Sequence, residues 1–592
     1  MATPTPNLGL IMPDMSDEVD QTIPALASSL GIVDAATGKL SDLATVDKSS
    51  LVAAISESSN GLDALKADVA NKSYYVTPEM YGAVGNGTTD DGTAFLNMYA
   101  DAKTKQVSVR LTKSRYKITK PLNTVGVSTY SDIYSVLDIQ VSAADGNAFT
   151  WGGENVTICG VCFELSNSTT NTSMQGLYNA SSNVNNQRFI RNKVKGKTFK
   201  SDGVTGNIYG VWVNANGLRG VRICDNVFET VNYPVQINQQ TAGGNIATPM
   251  GSPIENIYIE DNVILKGTIG INTPHVYCHH AFIRNNRVTS DTGFNINLAH
   301  VNNFVVEGNI LDGATVTTDS VLHIEDVSYA GTVTNNIIRA QNQADAIRIQ
   351  LASGVSQDTY VPTEGILVEG NDLKGVGNAN GVQIVDTSSK RIKLSNNRIE
   401  NFAIGATINA TQCDINDNRF LSCPLCLYLT QRVRVSGLIV ESCTTIVRSG
   451  NSIPVEIDGI TFIGEVPTLK PQVVSSNISM VIYRNVRFSS PVGVTISSTT
   501  AFDLFVLPDS GKFDFNLYYK LSNTTNSSIV RLNAKYDGTT FTPTKTYELL
   551  NGGVGGGTFA MTAGKLTASH FLSGGTLSIT WDITIDSLVY TA

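Results

Sequence analysis

Residues 221–228 read VRICDNVF, and this pattern of residue types recurs along the chain. Apolar residues at its first, third and eighth positions flank a two-residue break that is followed by an Asn. Clear copies centre on Asn226, Asn262, Asn286, Asn309, Asn336, Asn371, Asn397 and Asn418, and a weaker first copy centres on Asn192. Successive copies lie about 20 to 36 residues apart, which is the length of one solenoid coil with variable insertions.

The pattern has a direct physical interpretation. Alternating apolar residues place one face of a strand in a core, and the two-residue break is a turn that tolerates left-handed backbone. The following Asn can turn its amide inward and stack on its equivalents, which satisfies buried backbone groups. We therefore interpret these asparagines as a structural ladder. After Asn418 the Asn disappears while the apolar frame persists at Val435, Ile457 and Val486, so we expect plainer final coils.

A second strand is predicted in every coil, for example at Val211-Trp212-Val213-Asn214. Its flanking apolar residues face the core and its middle residue faces out, so in-register stacking aligns the middle residues as a column. The predicted members are Trp212, Gln236, Asn295, His323, Arg348 and Gln383. The sequence therefore predicts an all-β chain whose residues 151–500 form a right-handed parallel β-helix.

Composition narrows the function classes. Only 16% of the 592 residues are charged and the net charge is −9, which argues against a nucleic-acid partner held through phosphates. No targeting segment and no run of 18 apolar residues is visible, so no membrane insertion is expected. The eight cysteines lack a disulfide or zinc spacing and are predicted to be reduced thiols. No cofactor or metal is predicted.

A distinct motif precedes the repeat, at residues 81–95, which read YGAVGNGTTDDGTAF. Gly85 and Gly87 predict a turn, and Asp90 or Asp91 is expected to cap the helix that follows. The apolar face of that helix would close the open end of the solenoid. Its predicted members are Ala94, Phe95, Met98 and Tyr99.

This motif resembles the one that opens the pectate-lyase-like (pectin-lyase-fold) β-helix superfamily, which is common in phage tailspikes and pectinase-type glycoside hydrolases. Met80 and Asn86 stand where the superfamily usually has acids, but the motif is structural and the resemblance holds. The resemblance implies a homotrimeric phage tailspike that reads a bacterial surface polysaccharide. It also implies a virion location, assembly in the host cytoplasm, and attachment to other phage tail proteins through the N-terminal region.

The two ends of the chain differ from the repeat. Residues 1–75 carry a short heptad pattern, which predicts a parallel, trimeric coiled coil within a virion-attachment connector. Its core positions are Leu51, Ile55, Leu62, Leu65 and Val69. Residues 76–150 are interpreted as the cap of the solenoid. Residues 501–592 alternate cleanly between Gly-rich turns and predict a small antiparallel β-sandwich, which by resemblance would trimerise the chain or bind sugar.

The candidate active site lies on the outward column. His323, Glu325 and Asp326 are predicted to lie near Arg348 of the next coil, with Asp345 and Asp386 close by. Two carboxylates support glycoside hydrolysis, whereas a base beside Arg348 supports β-elimination from a uronic acid. The alternative is a solvated ion pair between coils. The predicted substrate-binding residues are Trp212, Gln236, Asn295, Gln383 and Asp386.

Two other groups are interpreted as structural. Glu260, Arg284 and Glu307 form an acid-base-acid column that is typical of pairing between coils. A His-rich insertion holds His275, His279 and His280 but no carboxylate at ligand spacing. The leading hypothesis is thus a tailspike that depolymerises a surface polysaccharide. A non-catalytic receptor-binding or structural appendage is the alternative, and a secreted pectinase-like enzyme ranks third.

Overall fold

The computed structural model describes residues 75–463 with gaps, and outside that range the backbone of separate strands. The gaps are residues 142–146, 167–173, 197–207, 239–251, 274–277, 315–319, 326–327, 351–362, 378–379 and 451–454. The chain divides into two units, Met1–Tyr75 and Val76–Ala592. In the first unit Thr3–Pro4 pairs antiparallel with Ile11–Met12, and the predicted coiled coil lies outside the described residues.

The second unit contains a parallel β-helix, as predicted, with three strands in each complete coil. One strand of each coil enters a parallel sheet of fourteen strands, which we call sheet 1. Its strands are Leu122–Asn123, Asn147–Thr150, Met174–Asn179, Ile208–Asn214, Tyr233–Asn238, Ile271–Thr273, Ile296–Ala299, Leu322–Glu325, Asp345–Gln350, Asn380–Ile384, Ile404–Ile408, Leu425–Leu429, Thr445–Ser449 and Gln472–Val473.

The Asn-containing pattern is not one strand but two, separated by the corner that holds the Asn. The strands before the corner form row 2: Ser108–Leu111, Thr129–Ser131, Thr157–Cys159, Arg188–Ile190, Arg222–Cys224, Ile254–Glu260, Cys278–Arg284, Val301–Asn302, Val305–Glu307, Thr332–Thr334, Leu367–Glu369, Lys393–Ser395 and Asp414–Asn416. The strands after it form row 3: Asn86–Asp90, Arg115–Ile118, Val136–Ile139, Cys162–Leu165, Lys193–Gly196, Val227–Glu229, Val263–Ile264, Arg287–Thr289, Ile310–Asp312, Ile337–Arg339, Asp372–Lys374, Arg398–Glu400 and Arg419–Leu421.

The core is a set of stacked apolar columns between sheet 1 and the two rows. In row 2, for example, Phe189, Ile223, Ile259 and Ile283 pair in sequence and are fully buried. Because every coil contributes one side chain to each column, burial accumulates along the axis. The alternation that the sequence showed is therefore the inside–outside alternation of each strand.

The predicted asparagine ladder is present and continuous from Asn192 to Asn418, and all nine side chains are buried. From Asn226 to Asn397, the backbone N and the side-chain Nδ2 both donate to Oδ1 of the next Asn, at 2.9–3.1 Å. Each Nδ2 also donates to a row 2 carbonyl, as from Asn262 to Ile223 O at 2.7 Å. The residue before each Asn has positive φ, as at Asp225 with φ 59°.

The ladder ends where the next two coils carry Leu438 and Ile460 at the corner position, paired in register. Without the Asn, rows 2 and 3 merge into single strands at Arg434–Glu441 and Val455–Ile463. Gly437 and Gly459 keep the left-handed backbone just before the corner, with φ 65° and 72°. The final coils are thus the plainer stretch that the sequence predicted.

The motif at residues 81–95 forms a turn and a helix beside the first coils. A 3-10 helix at Pro78–Tyr81 precedes the strand Asn86–Asp90 and the α-helix Gly92–Lys105. Of the two aspartates predicted as helix caps, Asp90 accepts a hydrogen bond at its Oδ1 from Gly92 N, at 3.0 Å. The Asp91 carboxylate accepts a hydrogen bond from Val84 N, at 2.7 Å, in the preceding turn.

The helix face predicted to close the solenoid is buried at Ala94, Phe95, Met98 and Tyr99. Neither this helix nor any other in the described part of the chain is long and apolar enough to cross a membrane. All eight cysteines are free thiols.

Beyond the last coil the pairing becomes antiparallel. The strand Met480–Ser489 pairs parallel with Val455–Ile463 on one side and antiparallel with Leu577–Thr591 on the other. The remaining strands are Val494–Ile496, Phe502–Val506, Lys512–Ser522, Ser527–Tyr536, Phe541–Asn551, Gly557–Thr562 and Lys565–His570. Antiparallel strands were predicted here; their packing as a sandwich, and the domain boundaries, stay predictions.

Candidate functional site

Sheet 1 presents one in-register column of outward side chains, which we call the face column. Five of the six residues predicted for it, namely Trp212, Gln236, His323, Arg348 and Gln383, belong to it. In chain order its members are Asn123, Thr150, Tyr178, Trp212, Gln236, Asn272, Asn297, His323, Arg348, Gln383, Thr407, Tyr428 and Arg448.

The prediction that Asn295 belongs to this column is wrong, because Asn297 pairs in register with His323. Asn295 is fully buried at the corner before the strand, where its Nδ2 donates to Val288 O at 2.7 Å. The sequence prediction also missed Asn272, because the Ile271–Thr273 strand is short and an insertion follows it.

Four partly buried aromatic rings form a patch beside the start of the face column. Tyr209 stacks on Trp212 and on Tyr233, each with ring centroids 4.7 Å apart. Tyr178 packs edge-on against Trp212 at 5.6 Å. Sequence reasoning missed the three tyrosines; Tyr209 and Tyr233 lie three residues before column members, a spacing that could have revealed them. Such rings offer flat apolar surface with a polar edge.

A chain of side-chain amides follows the aromatic patch. Asn297 Nδ2 donates to Asn272 Oδ1 at 3.1 Å, and Asn272 Nδ2 donates to Gln236 Oε1 at 2.9 Å. Gln236 Nε2 in turn donates to Asn238 Oδ1 at 2.8 Å. Within the described residues, Asn297 Oδ1 and the Trp212 Nε1 have no hydrogen-bond partner. This segment of the face therefore combines neutral donors and acceptors with aromatic surface.

A cluster of titratable groups comes next along the face. Arg348 Nε lies 2.8 Å from Asp345 Oδ2 and donates to Gln383 Oε1 at 3.0 Å. The Asp345 carboxylate is fully buried, and its Oδ1 also accepts from Asn380 Nδ2 at 2.7 Å. Arg348 is therefore held by fixed partners, with 26% of its side chain exposed.

His323 and Glu325 lie on the preceding strand of the same face. His323 Nε2 is 3.8 Å from Glu325 Oε2, too far for a hydrogen bond, and its ring packs on Phe294 at 4.6 Å. Burial, with the nearby Arg348 charge, lowers the pKa of His323 to about 4, so the imidazole is neutral at pH 7. Burial raises the pKa of Asp345, which Asn380 and Arg348 partly oppose.

The remaining predicted site residues lie apart from this cluster or outside the described chain. Asp326 belongs to the segment 326–327, which is not described. Asp386 follows the end of the strand Asn380–Ile384 and is not part of the face column. Glu325 is the carboxylate that reaches the surface here, with 19% of its side chain exposed.

We expect His323 to make stability depend on pH. Its folded pKa of about 4 lies below the unfolded value of about 6.5, so the unfolded chain binds more protons between these values. The stability that the chain gains from keeping His323 neutral is therefore fully present above pH 6.5 and is lost as pH falls toward 4. From pH 7 to 4.5, wild type should lose about 2 kcal/mol more unfolding free energy than His323→Asn. Denaturant unfolding at both pH values measures this difference, and equal losses would contradict it.

Charged side chains concentrate on the other faces. Arg284 pairs with Glu260 at 3.7 Å and Glu307 at 3.3 Å, in line with the structural interpretation of that column. A cavity of about 370 Å³ opens on row 2 and is lined by residues that include Arg222, Arg219 and Tyr258. His279 and His280 lie in the strand Cys278–Arg284, and His275 lies outside the described residues.

No protein-family model matches the chain, and no curated protein matches it significantly. Among solved structures, it is similar to a mutant tailspike protein of E. coli bacteriophage HK620 in complex with a pentasaccharide. The identity is 11%, the TM-score 0.43, and the match covers 88% of this chain and 95% of that one.

Two further structures are similar at the same level. The Dettilon tailspike protein is 13% identical with a TM-score of 0.39, covering 87% of this chain and 94% of that one. The A-module of a mannuronan C-5 epimerase of Azotobacter vinelandii is 12% identical with a TM-score of 0.37, covering 68% and 98%. The chain is a parallel β-helix protein that resembles phage tailspikes and a β-helix epimerase in fold.

Proposed function

We propose that this chain is a phage tailspike that binds a bacterial surface polysaccharide along sheet 1 and depolymerises it during host adsorption. The observation that carries the proposal is the face column, which passes from aromatic rings through amides to titratable groups without leaving one face. An extended glycan needs such a long polar and aromatic surface. The resemblance of the motif at residues 81–95 to the tailspike superfamily, and the tailspikes' similar fold, support the homotrimer and the virion location.

In the proposed reaction Glu325 supplies the acid or base, because among the described carboxylates of the cluster it is the one that is partly exposed. Asp326 is its proposed carboxylate partner, as two carboxylates on either side of a glycosidic bond permit hydrolysis. Arg348 donates hydrogen bonds to sugar oxygens, and Asp345 and Gln383 fix its position. His323 serves as a neutral hydrogen-bonding group at the pH of the reaction, because its pKa lies near 4.

This arrangement favours hydrolysis over β-elimination. A lyase needs a cation to neutralise the uronate carboxylate, but the charge of Arg348 is already balanced by Asp345 at 2.8 Å. The same balanced pair favours the second candidate function, a receptor-binding appendage that holds the glycan without cleaving it. Both candidates use the same face of sheet 1.

The test is to incubate the purified protein with host-surface polysaccharide and to follow chain length by size-exclusion chromatography. We expect shortening by wild type without ultraviolet absorbance from an unsaturated product. Glu325→Gln and Asp326→Asn should each slow cleavage by on the order of a hundredfold or more, because a positioned acid or base contributes at least that much.

The matched control is Glu307→Gln, which removes a carboxylate from row 2, where Glu307 pairs with Arg284. Its cleavage rate should equal that of wild type. Retained cell binding without shortening of any host glycan would exclude the enzyme and leave the binding appendage. Full activity of Glu325→Gln would move the reaction to another part of the molecule.

A further inference from the structure

The binding face carries a charge pattern that separates it from the rest of the solenoid. In sheet 1, no strand from Asn147–Thr150 to Ile296–Ala299 contains an Asp, Glu, Lys or Arg. Most strands of rows 2 and 3 in the same coils carry charged residues: Glu164, Arg188, Lys193, Lys195, Arg222, Glu229, Glu255, Glu260, Arg284, Arg287, Glu307 and Asp312. The neutrality is therefore a property of this face rather than of the coils.

From these observations we infer that the glycan segment bound along this face is uncharged, built from neutral hexoses or N-acetylated amino sugars. The inference rests on the proposed function and specifies the substrate class of the same site. The neutral stretch spans six strands, or about 24 Å at the usual spacing of about 4.8 Å between strands. Several consecutive sugar units fit along that length.

Physical chemistry disfavours an acidic glycan here. Among the described residues of these strands, a carboxylate laid on this surface would lose water and meet phenol, indole and amide groups, and an unpaired charge is expensive to desolvate. Among the described residues of the face, the cation nearest to the neutral stretch is Arg348, which is already paired with the buried Asp345. The partly exposed Glu325 adds repulsion at that end of the neutral stretch.

The neutral groups that are present match sugar chemistry. Tyr209, Trp212 and Tyr233 provide stacked rings on which the apolar face of a pyranose can lie. Burial raises the pKa of Tyr209 and of Tyr233, so both phenols stay neutral and can hydrogen bond to hydroxyl groups. The linked amides of Gln236, Asn272 and Asn297 lie beside these rings with about 6% of each residue exposed, and they combine donors and acceptors without a charge.

The experiment uses the full chain and immobilised bacterial surface polysaccharides, some neutral and some carboxylated, with each carboxylated polymer also tested after chemical reduction of its carboxyl groups. We expect the tightest binding to neutral polymers, with carboxyl reduction strengthening the binding of acidic ones. The dissociation constant should change less than about twofold between 50 and 500 mM NaCl, because no ion pair is screened.

A variant pair adds a second measurement. Gln236→Glu places one negative charge in the neutral stretch and should weaken neutral-glycan binding by about tenfold. Asn335→Asp adds the same charge at a ladder corner, where other coils already carry Asp225 and Asp261, and should bind like wild type. Preference for an acidic polymer, weakened at least tenfold by carboxyl reduction, overturns the inference alone. No binding to any polymer overturns the proposed function as well.

Discussion

Asn309→Leu should lower the unfolding free energy by about 3–5 kcal/mol, because one substitution breaks bonds to both neighbouring coils. Asn309 Oδ1 accepts from both the backbone N and Nδ2 of Asn286, at 2.9 and 3.0 Å. Its Nδ2 donates to Ile283 O at 2.9 Å and to Asn336 Oδ1 at 2.9 Å. Leucine leaves buried donors and an acceptor unpaired, each costing about 1–3 kcal/mol.

The matched control is Thr334→Ala, at an outward position of row 2 two residues before Asn336. It should change stability by no more than about 0.5 kcal/mol, as surface substitutions usually do. Denaturant unfolding followed by circular dichroism compares the two variants. If Asn309→Leu is as stable as Thr334→Ala, the ladder is not a significant source of stability.

Arg348→Met should destabilise the chain by about 3–5 kcal/mol, because it leaves the Asp345 carboxylate buried without its counter-charge. That carboxylate is fully buried, and it would keep the hydrogen bond that Asn380 Nδ2 donates to its Oδ1 at 2.7 Å. The double variant Arg348→Met/Asp345→Asn removes both charges together. We expect it to recover most of the loss, since replacing a buried pair costs much less than breaking it.

The control for this cycle is Arg339→Met, whose partner Asp312 lies 2.8 Å away at the surface. Half of the Arg339 side chain is exposed, so its pair should contribute less than about 1 kcal/mol. Equal stability losses for Arg348→Met and Arg339→Met would show that the ion pair on sheet 1 is not effectively buried. An unrecovered double variant would show that packing, not charge, dominates at this position.

The fold could be predicted from the sequence to the level of single residues along the ladder. Each Asn follows a residue of positive φ and precedes an apolar strand, so local chemistry alone marks the corner. The two-residue break predicted a turn inside the pattern, but the pattern was counted as one strand, so its division into rows 2 and 3 was not predicted. The rows are separate where a left-handed residue, for example Asp261 with φ 56°, is followed by a ladder Asn, and they merge where Leu438 and Ile460 replace that Asn.

The site could be predicted only in part, because register across coils depends on the insertions between strands. The Phe294-Asn295-Ile296-Asn297 segment offers two asparagines, and sequence reasoning chose the buried one. The sequence predicted that Asp345 lies near Arg348. It could not predict that this contact is buried, because burial depends on packing between coils and not on a local sequence pattern. The proposed roles of Glu325 and Asp326 remain predictions for the experiments above.

The ladder bonds each coil only to its neighbours, and with the same geometry at every step from Asn226 to Asn397. One coil could therefore be deleted without changing the ladder geometry: removing residues 287–309 would place Asn286 next to Asn336 with the same hydrogen-bonding arrangement. Gene duplication or deletion of whole coils could then lengthen or shorten sheet 1 in increments of about 4.8 Å without a new core. The length of polymer that sheet 1 can contact would then change with the number of coils, independently of the side chains on its surface.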